Sequence, residues 1–76
     1  MKTTIHFTQK NEALKQEQAL TDARDYMGFQ RFERIINMMR EEQVTKFEFV
    51  TLFNLAGLKG YPVEIAWRYM QGELND

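Results

Sequence analysis

Phe29, Phe32, Ile35, Ile36 and Met39 recur at steps of three and four residues, with Gln30, Glu33, Arg34, Asn37 and Glu41 on the opposite side. That spacing predicts an amphipathic helix from Phe29 to Glu42, and a helix with one apolar stripe needs other elements to cover it. The cover has to come from a chain of 76 residues without a single cysteine, so neither a disulfide framework nor a thiolate metal cage can staple the fold. A domain of this size removes only about 60 % of its unfolded surface from water, which leaves a thin stability margin. A hydrophobic content of 43 %, with 13 % aromatic residues, argues for a packed core and against disorder. Dimerisation is the usual further source of buried area.

Gly28, Gly57, Gly60 with Pro62, and Gly72 punctuate the chain, and no repeat, low-complexity tract or linker interrupts it. The reading is a mainly α single domain over 1–76. It is a bundle of about four helices, near 9–27, 29–42, 45–57 and 62–73, behind a short extended arm at 1–8. In the arm, Ile5 and Phe7 alternate with Thr4, His6 and Thr8, the period of a β-strand. A lone strand leaves its ladder groups unpaired, so this one requires a partner from Val44–Val50 or from a second copy of the chain.

The first helix presents Ala13, Leu20 and Met27 every seven residues, flanked by Ala19, Ala23 and Tyr26, a shallow face that permits close helix approach. Its stripe and that of the next helix point roughly 170° apart on a straight rod, so the chain is expected to turn at Gly28. Thr45-Lys46-Phe47-Glu48 matches the capping box that opens a helix, although Val44–Val50 also alternates like a strand; helix is preferred. Apolar residues surround most of that third helix, which places it at the centre of the core. Gly57 and Gly60 suit a helix stop, and Pro62 with Glu64 suits the next start. The last helix carries Val63, Ile65, Ala66, Trp67, Tyr69 and Met70, with Leu74 beyond, over roughly 200° of arc, more than one core-facing stripe requires.

The chemistry available is narrow. There is no serine and no cysteine, and His6 is the one histidine, so Ser-His-Asp and Cys-His nucleophile systems cannot be assembled. The glycines near Lys59 lack the spacing of a phosphate loop. Asp22 with Asp25 and Glu41 with Glu42 are the paired carboxylates, but Arg24 and Arg40 interleave them on faces expected to be solvated. No enzyme activity, cofactor, metal or small-molecule substrate is expected. No apolar run approaches the roughly 18 residues that span a bilayer, and no secretory leader pattern opens the chain, so it reads as cytoplasmic and without membrane attachment.

Ten basic and eleven acidic residues, alternating in sign, give a net charge of -1 and no basic footprint for nucleic acid. Thr51–Tyr69 fits a helix-turn-helix poorly, because Pro62, Val63, Glu64 and Ile65 would stand where groove-reading side chains belong. The arm, the helix after it, Gly28 and the helix with Phe32 and Ile35 share the layout of a ribbon-helix-helix dimer. Thr4, His6 and Thr8 would then be the base readers, but the first helix is several residues too long and only Lys2 and Lys10 flank the ribbon.

Two functions are therefore carried forward. The first is a small non-enzymatic regulatory or inhibitory protein, of the kind common in phages and plasmids by analogy alone, that binds another protein or itself. It would use Leu58, Lys59, Tyr61, Ile65, Trp67, Arg68 and Tyr69, where aromatic anchors stand beside an arginine. The second is a dimeric DNA-binding regulator that uses the arm or the C-terminal helix pair.

Overall fold

The computed structural model describes the backbone of residues 2–74 and the side chains of residues 11–74. It consists of four helices: α1 (Lys2–Met27), α2 (Phe29–Glu42), α3 (Lys46–Leu55) and α4 (Tyr61–Gln71). The strand expected at Thr3–Thr8 is not confirmed, since α1 begins at Lys2 and no strand occurs among the described residues. A helix bonds its own backbone, whereas a strand there needed a neighbour, and Val44–Val50, the candidate within the chain, is the capped opening of α3.

The turn at Gly28 is present. Its φ of 89° belongs to glycine territory, while the backbone bonds Gly28 N to Arg24 O (2.7 Å) and Phe32 N to Gly28 O (2.8 Å) hold both helix ends to it. The change of direction lets two oppositely aimed stripes face one interior: Ala23 on α1 and Phe32 and Ile36 on α2 share the same buried cluster.

The α2–α3 connection reverses through Gln43, whose φ is 56° and whose N–H reaches Arg40 O. At Thr45 the capping box is complete. The Glu48 N–H donates to Thr45 Oγ1 at 3.2 Å, and the Thr45 N–H donates to Glu48 Oε1 at 2.9 Å. With both donors satisfied locally, the strand alternative for this stretch loses its advantage. Thr45→Ala is expected to lower stability by about 1 kcal/mol, and Glu48→Ala in the Thr45→Ala background by clearly less than it does alone. Additive losses in urea denaturation would mean that the two groups are not coupled.

α4 is the centre of the bundle. It lies along α1 and also meets α2 and α3, burying Val63, Ile65, Ala66 and Met70. Ala19 and Ala23 of α1 are buried, as a close approach between α1 and α4 requires, while Ala13, one of the residues expected on the same face, is exposed. The aromatic interior runs from Phe32 to Phe53 (ring centroids 6.5 Å apart), from Phe53 to Phe49 (4.6 Å) and from Phe49 to Trp67 (5.3 Å, edge-on). At the end of α4, Arg40 Nε donates to the Met70 carbonyl at 3.0 Å, which ties α2 to the last turn.

The central position expected for α3 is thereby corrected. α3 fully buries Phe49 and Phe53, with Val50 partly buried beside them, and rests on α4 and, through Phe53, on Phe32 of α2. Apolar circumference was abundant on both helices, and the helix with two long neighbours available to cover it became the interior one.

Candidate interaction surface

The side of α3 that faces away from α4 is left without cover by any described residue. Phe47 and Leu55 are each 79 % exposed and Leu52 is 47 % exposed. At about 100° per residue, Phe47, Thr51 and Leu55 fall within roughly 80° of one another, and Leu52 flanks them on the side of α2. Leu52 also borders a shallow apolar groove of about 150 Å³, whose other walls are Met27, Ile35, Met39, Phe53 and Ala56. Tyr26 extends this surface past the end of α3. Its hydroxyl donates to the Ala56 carbonyl at 2.9 Å, and its ring is 55 % exposed. Single exposed apolar side chains are ordinary, but several on one side of a helix with an apolar groove beside them are a form that protein interfaces take.

The electrostatics of this face are quiet. Lys46 and Glu48 are the only charged residues of α3. Lys46 Nζ pairs with Glu64 Oε1 at 2.9 Å, and Glu48 is engaged in the capping box. Glu64 also accepts from Arg68 Nε at 3.3 Å. The Lys46 hydrogen bond is the main reason its carboxyl lies below the usual carboxylate range; burial works in the opposite direction, and Lys46 charge and Arg68 add to the lowering. A depressed carboxylate pKa gives stability that is present above the unfolded value and lost as pH falls through the folded one. These groups are a third or more exposed, so the effect is at most several tenths of a kcal/mol. Glu64→Gln should therefore lower the melting temperature slightly at pH 7 and not at pH 3. A difference of equal size at both values would exclude charge as its origin.

The residues expected to bind a partner are dispersed. Ile65 and Leu58 are buried, and Trp67 is half-buried against Phe49. Tyr69 is half-buried and donates to Glu33 Oε2 at 2.8 Å. Arg68 serves Glu64, and only Lys59 and Tyr61 stand exposed, with Lys15 Nζ 6.0 Å from the Tyr61 ring. The surplus apolar surface assigned to α4 is thus corrected: burial of this helix from several sides absorbs it, and the unpartnered surface belongs to α3. Sequence reasoning passed over Phe47, Leu52 and Leu55, although the signal was present. The excess-width argument applied to α4 holds equally for α3, whose apolar residues surround most of it.

One polar cluster stands apart. The Arg24 guanidinium lies 5.3, 6.0 and 5.0 Å from the ring centroids of Phe29, Phe32 and Tyr69, and Arg24 Nη2 is 3.5 Å from Glu33. The arrangement pins the α1–α2 turn to α4 by cation–π contact, and Phe29, first on the α2 stripe, lies at the surface beside Arg24. Asp22 accepts from Gln18 at 2.9 Å, while Asp25, Glu41 and Glu42 are exposed. Among the described residues no three histidine or carboxylate side chains gather, and no helix is long and apolar enough to cross a membrane. The side chains of Thr4, His6 and Thr8, the base readers of the DNA-binding alternative, lie outside the described residues. No protein-family model matches the chain, and the comparisons with curated proteins and with solved structures found no match either.

Proposed function

We propose that this chain is a small non-enzymatic interaction protein, regulatory or inhibitory in role, that binds another protein through the outer face of α3. The observation that carries the reading is the pairing of Phe47 and Leu55, four-fifths exposed, with an apolar groove beside Leu52. Water-facing side chains of this size contribute nothing to the fold, whereas a partner that covers them gains roughly 1.5–3 kcal/mol for each one buried. The absence of serine and cysteine and the mixed, unclustered charge support a binding role over a catalytic one.

The test is the double variant Phe47→Asp with Leu55→Asp. Both positions face solvent, so helix content should be unchanged and stability should stay within about 0.5 kcal/mol per site. Tagged wild-type and variant protein are then expressed in the native host together with an untagged copy of the chain. Proteins recovered with the wild type should be lost with the variant, at a cost of about 2 kcal/mol or more for each anchor, on the order of thirtyfold in affinity. Recovery of the same proteins by a folded variant overturns the proposal.

A further inference from the structure

We infer that the cavity beside Arg24 binds an amphipathic monocarboxylate, with its carboxylate on the Arg24 guanidinium and its hydrocarbon chain laid along α1. The site lies between α1 and the end of α4 and is independent of the outer face of α3. The guanidinium is held in place there without being satisfied. The rings of Phe29, Phe32 and Tyr69 fix its position, yet Arg24 Nε is buried without a hydrogen-bond partner. Its contact with Glu33 Oε2, at 3.5 Å, is long for a charge-assisted hydrogen bond, and that oxygen already accepts from the Tyr69 hydroxyl at 2.8 Å. A guanidinium carries several N–H donors in a planar fork. Leaving them poorly paired in a partly buried position costs free energy that an incoming carboxylate recovers.

The shape and charge of the cavity select the rest of the ligand. Its volume is about 490 Å³, which suits a small molecule, and its walls include Ala13, Leu20, Tyr69 and Leu74. Ala13 and Arg24 stand roughly 16 Å apart along α1, room for a medium-length chain. Glu17 also lines the cavity, so with Glu33 two carboxylates neighbour one guanidinium. Glu17 is exposed and screened by water, but a dianion such as phosphate meets twice the repulsion that a monoanion does and has no chain to bury. A monocarboxylate takes the fork and adds the burial of its methylene groups against Leu20 and Leu74.

The probe is octanoate, titrated into isotope-labelled protein while the Arg24 Nε–H resonance is followed. That resonance should shift and saturate with a dissociation constant of about 1 mM or tighter. Octanol and inorganic phosphate at equal concentrations should leave it in place, the first lacking the head and the second the chain. Arg24→Gln should weaken octanoate binding about tenfold or more, read from the Leu20 and Leu74 amides. Should loss of Arg24 unfold the chain, Ala13→Phe carries the test, because Ala13 is exposed and the added ring fills the cavity. This variant should keep the melting temperature and lose about fivefold or more in octanoate affinity. An Arg24 resonance that stays fixed up to about 10 mM octanoate, or that octanol or phosphate moves equally, overturns the proposal. So does a response confined to Phe47, Leu52 and Leu55, which is adsorption to the exposed side of α3. Asp76→Asn should leave the resonance unmoved in the absence of octanoate; a shift there means that the chain supplies its own carboxylate, and it overturns the proposal as well.

Discussion

Phe32→Ala is expected to cost about 3–5 kcal/mol and to leave the chain largely unfolded or loosely packed at 25 °C. Phe32 is fully buried, and its ring lies 6.5 Å from that of Phe53 and 5.9 Å from that of Tyr69. Its removal empties the place where α2, α3 and α4 meet. A chain of 76 residues has a total stability of about 4–11 kcal/mol on general grounds, so this one truncation consumes much of the margin. Phe29 stands three residues earlier on the same stripe but is 60 % exposed, and Phe29→Ala should cost about 1 kcal/mol, chiefly its contact with Arg24. Urea denaturation of the pair decides the matter. Equal costs at the two positions would mean that α2 does not face the interior as described, and a loss below about 1.5 kcal/mol for Phe32→Ala would mean that the site collapses to fill the void.

This contrast between two phenylalanines on one stripe marks how far sequence periodicity reaches. The spacing of Phe29, Phe32, Ile35, Ile36 and Met39 gave α2 and its inner face, and the Thr45–Glu48 box gave the start of α3. Both signals are local, made within one helical turn or repeated along one face. The turn at Gly28 was also legible, because two stripes that diverge on a straight rod can share a core only if the chain bends. The exposure of Phe29 was not legible. Phe29 lies beside the Arg24 guanidinium, which approaches from α1, and no spacing within α2 encodes that contact.

The exchange of roles between α3 and α4 has the same origin. Both helices carry apolar residues around most of their circumference, so width alone could not decide which would be enclosed. Neighbours decided it. α4 lies along α1, whose buried Ala19 and Ala23 admit close approach, and it is met from other sides by α2 and α3. α3 packs on α4 and, through Phe53, on Phe32 of α2, and its other side is left exposed. The excess of apolar circumference was therefore legible in kind, and the structure leaves its exposed part on α3 instead of α4. Leu58, Ile65, Trp67 and Tyr69 became parts of the fold, and Phe47, Leu52 and Leu55 took their place at the surface.

Gly57→Ala is the second change with a large expected effect, and it tests the joint between α1 and the end of α3. Gly57 has a φ of 102°, outside the range that L side chains adopt readily, and its neighbour Leu58 returns the chain by donating from its N–H to Phe53 O at 3.0 Å. A side chain held in a left-handed conformation costs about 1–2 kcal/mol. A Cβ at this position would also overlap the Tyr26 hydroxyl, which is fixed by its bond to the Ala56 carbonyl. Displacing Tyr26 forfeits that bond, worth about 1 kcal/mol. The total, about 2–3 kcal/mol, should fall to the backbone part alone in a Tyr26→Phe background, where the colliding oxygen is absent. A double-mutant cycle is therefore expected to return a coupling of about 1 kcal/mol between two residues thirty-one positions apart. If Gly57→Ala costs the same with tyrosine and with phenylalanine at position 26, the hydroxyl swings aside freely, and the hydrogen bond does not hold α1 to the end of α3.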